Sequence, residues 1–127
     1  MSDCIFCKIV KGELETKLVA RQNNIVAFFD INPQASTHIL IVTKGHIGSF
    51  LDIESKHSRL ISEMIKLAQK LIKDYNLEDA YKVVFNGGRY QHVPHLHWHL
   101  LGDRPSFAPR RSLRELSGDS EEQRKAV

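Results

Sequence analysis

The heptapeptide His95-Leu96-His97-Trp98-His99-Leu100-Leu101 constrains this chain more than any other stretch. Histidine alternates with large apolar residues, and a period of two belongs to a strand. On such a strand His95, His97 and His99 share one face, spaced about 6.5–7 Å apart. Leu96, Trp98 and Leu100 take the other face, towards a core. Four of the seven histidines fall between 92 and 99. Imidazole is only intermediate in burial, so packing gives no ordinary reason for a whole face of it. Three readings stay open on the strand alone: a catalytic zinc held by His-x-His spacing, an imidazole nucleophile whose neighbours stabilise a phosphate, or a solvated face.

The remainder of the chain limits where that strand can sit. At 127 residues and 42% hydrophobic content, one domain with a real core is expected. No run approaches the roughly 18 apolar residues of a membrane span. Met1-Ser2-Asp3-Cys4 has no basic n-region, so no signal peptide and a cytoplasmic home are expected. A net charge of +3 is modest; it points to an anionic ligand and makes no case for bulk nucleic-acid binding.

Cys4 to Val10 reads as a short helix ended near Gly12. Lys17–Arg21 and Ile25–Phe29 read as strands joined by a turn, and Asp30–Ser36 as an ordered loop with Asn32-Pro33 as its turn signal. Thr37–Val42 is a strongly apolar strand. From about Ile53 to Tyr75, Leu60, Met64, Leu67 and Leu71 with Ile61, Ile65, Ala68 and Ile72 repeat at three and four, the stripe of one long helix with Asp52 as its N-cap. Tyr81–Phe85 is a further strand, broken by Asn86-Gly87-Gly88. The expected class is α+β: an antiparallel sheet with one long helix and a short N-terminal helix. Beyond Asp103 the apolar anchors thin out, which points to an arm or frayed tail. Arg110, Arg111 and Arg114 lie there, but so do Glu115, Asp119, Glu121 and Glu122, so mixed charge outweighs a nucleic-acid patch.

Cys4-x-x-Cys7 admits a redox pair, a disulfide or half of a zinc site. A redox pair normally follows a strand, and none precedes this one. A closed zinc site needs two more ligands, for which His46 and the histidine strand are the available sources. Asn86-Gly87-Gly88 is either a hairpin turn or a loop offering amides to a phosphate. Asp30, at a strand end, is either a turn residue or a ligand for ribose hydroxyls. His38, opening an apolar strand, taken alone is a structural histidine.

Together these stretches resemble the histidine triad (HIT) family, in its Hint-like bacterial branch, over roughly residues 3 to 105. Gln91-His92-Val93-Pro94-His95-Leu96-His97-Trp98-His99-Leu100-Leu101 fits the His-φ-His-φ-His-φ-φ signature, φ being hydrophobic. Asp30-Ile-Asn-Pro33-Gln-Ala-Ser-Thr-His38 and Cys4-Ile-Phe-Cys7-Lys-Ile are further family stretches. The resemblance implies a HIT domain over 1–105, with 106–127 as a C-terminal arm or flexible tail. It implies a hydrolase or transferase acting on the α-phosphate of a nucleotide through a nucleotidyl-histidine. His97 would be the nucleophile, His99 the phosphate contact, and His38 a supporting histidine beside the triad member His95. Asp30 would hold the ribose, with Phe6, Ile9, Phe29 and Ile31 around a purine base. Asn86, Gly88, Gln91 and His92 would lie near the phosphate. A structural Zn²⁺ would sit on Cys4, Cys7, His46 and His95, and the chain would form a homodimer.

Two departures accompany it. Arg89-Tyr90 stand where family loops usually carry two glycines, and His92 stands where Ser or Thr is common. The loop is also about two residues shorter than is usual, and that favours a rival reading: a zinc-stabilised nucleotide-binding or adaptor module whose catalysis is vestigial.

Overall fold

The computed structural model describes residues 4–104. The expected arm at 106–127 lies outside them. Helix α1 (Ile5–Val10) is followed by strands β1 (Leu18–Arg21), β2 (Ile25–Phe29) and β3 (Thr37–Thr43). Helix α2 (Ser58–Asp74) leads to β4 (Tyr81–Val84) and β5 (His97–Gly102). The five strands form one antiparallel sheet in the order β1-β2-β3-β5-β4. The α+β expectation is thus met.

Alternation sorts the sheet into two faces. Ile25, Ala27, Phe29, Ile39, Ile41 and Leu100 pack with Met64, Leu67, Ala68, Leu71 and Ile72 of α2. Val26, Phe28, Leu40 and Val42 pack on the other side with Cys4, Phe6, Cys7 and Ile9 of the α1 segment. All five residues of β2 are buried because both faces are covered.

Several expectations need correction. The long helix starts at Ser58, and Asp52 is not its N-cap. The segment between forms two 3-10 turns, Phe50–Asp52 and Ser55–His57. Ser49 caps the first, its Oγ accepting from Leu51 N–H and donating to Asp52 Oδ2, so the Asp52 carboxylate is used there. Ile65 is 45% exposed rather than part of the buried stripe of α2. Asn86-Gly87-Gly88 makes no two-residue hairpin; it enters a 3-10 turn, Gly88–Tyr90, within a long connection to β5. His95 and Leu96 precede β5 instead of lying in it. Among the described residues no helix is long and apolar enough to cross a membrane.

Candidate active site and metal centre

Strand register assembles the site. The pairs His38↔Leu101, Leu40↔His99 and Val42↔His97 put His38, His97 and His99 on the α1 face. Trp98 and Leu100 face α2. Asp30 N–H donates to the His38 carbonyl at 2.9 Å, continuing the β2–β3 ladder by one step, so Asp30 joins the same face. A diagonal across β3 and β5 then brings His38 to His99.

His97 is buried, with the Phe6 ring edge-on at 4.8 Å. Its Nδ1–H donates to the His95 carbonyl at 2.7 Å, which leaves Nε2 with a free lone pair. Burial is the main cause that pulls its pKa below 6.5, so the ring is neutral at pH 7.

His99 has the opposite polarity. The Gln34 amide donates to His38 Nδ1 at 3.1 Å, so the proton of neutral His38 sits on Nε2. That Nε2–H donates to His99 Nδ1 at 2.9 Å, and the proton of His99 therefore sits on its Nε2. Burial first, then the neighbouring charges of His97 and His38, push the His99 pKa down to about 4. The two rings lie 5.0 Å apart. One offers a lone pair and the other a hydrogen-bond donor, which suits attack on a phosphorus whose oxygens carry negative charge.

Asp30 Oδ2 lies 3.4 Å from His38 Nε2. Burial outweighs the attraction of Asp30 and leaves His38 below its ordinary pKa, so this contact is not an ion pair. Asp30, His38 and His99 hold their polar atoms within 4.8 Å of one another, close enough for a cation by distance alone. Chemistry argues otherwise. A metal would need lone pairs on His38 Nε2 and His99 Nδ1 together, and moving the His38 proton to Nδ1 would set it against the Gln34 N–H. The trio is a hydrogen-bond relay.

The ligand atoms of Cys4, Cys7, His46 and His95 also lie within 4.8 Å of one another. Cys4 Sγ–His95 Nδ1 and Cys7 Sγ–His46 Nδ1 are each 3.3 Å, and Cys7 Sγ–His95 Nδ1 is 3.5 Å. A tetrahedron with Zn–S about 2.3 Å and Zn–N about 2.05 Å has sulfur–nitrogen edges of about 3.5 Å, so the residues fit zinc. His95 Nε2 donates to the Thr43 carbonyl at 2.7 Å, with Thr43 Oγ1 at 3.2 Å, which turns an unprotonated Nδ1 towards the cysteines. Cys4 and Cys7 are free thiols. Burial, then the hydrogen bond with Cys4, pushes the Cys7 thiol up, the reverse of an acidic redox cysteine. The side chain of His95 is thus turned to the cysteines and His46, and its backbone carbonyl, not its ring, meets His97 Nδ1.

The candidate substrate residues divide. A groove of about 570 Å³ is lined by Ile9, Phe29, Asp30 and Ile31, joined by Gly12, Leu14, Glu15, Thr16, Lys17, Leu18 and Arg21. Phe6 is not in that lining; it packs between Phe28 and the His95 and His97 rings. Phe29 reaches the groove only from a strand end, since its ring packs edge-on against Tyr75 in the α2 core. Ile31 is 85% exposed at the rim. Asn86 is half-buried, and Gly88 takes φ +59° in the turn beyond it. Gln91 Nε2–H donates to the Gly48 and Val93 carbonyls, so it braces the loop before β5. His92 is exposed, and its charge bears on both His97 and His99.

Gln34 and Thr43 were missed by sequence reasoning, as were the groove residues from Gly12 to Leu18. Gln34 acts through its amide and Thr43 chiefly through its carbonyl, groups every residue owns. No residue type announced them.

A family model described as "Scavenger mRNA decapping enzyme C-term binding" matches residues 3–111. The Escherichia coli K12 protein named purine nucleoside phosphoramidase is 38% identical over 106 residues, covering 81% of this chain and 89% of its own. A 14 kDa zinc-binding protein of Zea mays is 41% identical over 107 residues, covering 81% and 84%. The crystal structure of a HIT family hydrolase from Legionella pneumophila Philadelphia 1 superposes with a TM-score of 0.78 at 42% identity, covering 84% of this chain and 98% of that one.

Proposed function

The chain belongs to the histidine triad family, and from that premise we propose that it is a nucleotide hydrolase or nucleotidyltransferase. Its substrates are nucleoside phosphoramidates or nucleotide (di)phosphate esters, attacked at the α-phosphate. The observation that carries this reading is the opposite tautomers of two adjacent rings: His97 Nδ1–H on the His95 carbonyl at 2.7 Å, and His99 Nδ1 accepting from His38 at 2.9 Å.

His97 Nε2 attacks phosphorus, the bond to the leaving group breaks, and a nucleotide is carried on Nε2. The leaving group departs with a proton from solvent. Positive charge builds on the His97 ring and is held through Nδ1–H by the His95 carbonyl. His99 Nε2–H donates to a phosphate oxygen throughout. Water then attacks phosphorus, frees the nucleoside monophosphate and returns His97 to its starting form. Asp30 accepts from ribose hydroxyls while a purine occupies the groove beside Ile9 and Ile31.

Cys4, Cys7, His46 and His95 would hold one zinc with their four ligand atoms, a complete set for a structural site. It ties α1 to the segment before β5 and holds His95, whose carbonyl orients His97. The name of the maize relative supports this reading. The two free thiols suit a reducing compartment such as the cytoplasm.

The protein acts as a homodimer. Tyr81, Val83 and Phe85 are 53%, 39% and 43% exposed. Val83 pairs with Leu100 and so lies on the α2 face of edge strand β4, with exposed Ile65 on the helix itself. An apolar edge of this kind needs a cover, and a second copy supplies one.

The test is a panel of nucleoside phosphoramidates and dinucleoside polyphosphates with wild type and His97→Ala. Turnover of at least one class, lost in His97→Ala with nucleotide affinity kept within a few fold, supports the reading. Binding without turnover of any class contradicts it and leaves a nucleotide-binding module.

A further inference from the structure

The loop between β2 and β3 is held by its alternate amides. Asp30 N–H donates to the His38 carbonyl at 2.9 Å, and Asn32 N–H to Asp30 Oδ1 at 2.8 Å. Gln34 N–H donates to His38 Nδ1 at 3.1 Å, and Ser36 N–H to Asp103 Oδ1 at 3.0 Å. The first three acceptors belong to the site side of the loop. The fourth stands on the far end of β5, the strand that carries His97 and His99.

Asp103 grips Ser36 twice. Ser36 Oγ lies 2.6 Å from the same carboxylate oxygen and 3.2 Å from the Gly102 carbonyl. Asp103 N–H donates to the Ala80 carbonyl at 3.0 Å, so the clamp is itself fixed to the sheet. The Ser36 hydrogen bonds hold the Asp103 carboxyl below its ordinary pKa, so it is a charged acceptor at neutral pH.

We propose that Asp103 is a positioning residue for the histidine relay: through Ser36 it keeps the Gln34 amide on His38 Nδ1, and so keeps a proton on His99 Nε2. Without the clamp the loop loosens and His38 is free to carry its proton on Nδ1. Its Nε2 then accepts, His99 must donate from Nδ1, and a lone pair on His99 Nε2 faces the phosphate where a donor is needed. The catalytic consequence rests on the reading of His99 as the phosphate donor.

The experiment is ¹⁵N NMR of the histidine rings near neutral pH, with hydrogen exchange of the Gln34 amide, in wild type, Asp103→Ala, Asp103→Asn and Ser36→Ala. Steady-state kinetics on a nucleoside phosphoramidate accompany it. Wild type is expected to hold His38 and His99 as Nε2–H. Asp103→Ala shifts part of both populations to Nδ1–H, speeds Gln34 exchange and lowers kcat about tenfold with a smaller change in KM. Asp103→Asn, whose amide oxygen still accepts, restores the wild-type pattern. Ser36→Ala, which keeps the amide but loses the hydroxyl, moves the same signals less far. A folded Asp103→Ala with unchanged tautomers overturns the proposal, as does Asp103→Asn shifting them equally. Should Asp103→Ala not fold, unchanged tautomers and Gln34 exchange in Ser36→Ala overturn it too. If the tautomers move and kcat does not, the clamp stands and the assignment of His99 fails.

Discussion

The two central imidazoles differ by where one proton rests. Removing the donor ring tests its share: His99→Ala should lower kcat about 10²- to 10³-fold, the usual cost of one preorganised donor, and also weaken nucleotide binding. Acid titration tests its environment. His99 falls from 6.5 to about 4 because burial and its histidine neighbours disfavour the cation. The depressed folded value means its contribution to stability is present above pH 6.5 and is lost as pH falls towards 4. NMR titration should therefore find His99 neutral at pH 5.5; a midpoint near 6.5 would show a solvated ring. At this scale the sequence was readable wherever a residue type carries the chemistry. His95, His97 and His99 stand out because imidazole alternates with apolar residues in the sequence, whereas His38 and Asp30 were ambiguous by themselves and were singled out by the resemblance to the histidine triad family. The Gln34 amide and the Thr43 and His95 carbonyls do not stand out, because a peptide group leaves no mark in the sequence. Phe6 packs between Phe28 and the His95 and His97 rings, a position that one aromatic on a short helix does not announce.

Among the elements, β5 is the frame of the site and its end is tightly packed. A Cβ at Gly102 would meet the Ala80 carbonyl at 2.8 Å and Leu77 at 3.0 Å. Gly102→Ala should cost about 1–3 kcal/mol and, by displacing Asp103 from Ser36, lower turnover further than its stability loss explains. Met64→Ala, fully buried where α2 meets the sheet, should cost about 2–5 kcal/mol in denaturant unfolding and leave KM unchanged, since that face is remote from the histidines. Strand existence and facing were readable because period two runs through β2, β3 and β5. The start of α2 was not. Ser49 and Asp52 are both good capping residues in sequence, and only the tertiary path shows that they serve a 3-10 turn before the helix begins.

For the whole molecule, the proposed zinc site and the proposed homodimer carry the predictions. Metal analysis of protein purified without added metal should find close to one zinc per chain, absent in Cys7→Ser. Loss of zinc should reduce kcat more than nucleotide affinity, because His95 holds His97 while the groove lies elsewhere. Val83→Asp, placed on the apolar β4 edge, should convert a dimer to a monomer in sedimentation velocity; a wild-type monomer at micromolar concentration would refute the homodimer. The exposed β4 edge was not foreseen from its alternation, because Tyr81–Phe85 reads like any half-buried strand until its place at the edge of the sheet is known.

The central claim is that the nucleotide is carried on His97. It is tested most directly by intact-protein and peptide mass measurement during a single turnover of a nucleoside phosphoramidate, quenched at alkaline pH. The expected result is a transient mass increase of one nucleoside monophosphate group, located on His97 and absent in His97→Ala. Turnover that proceeds with no such adduct, or that survives His97→Ala, would contradict the covalent mechanism.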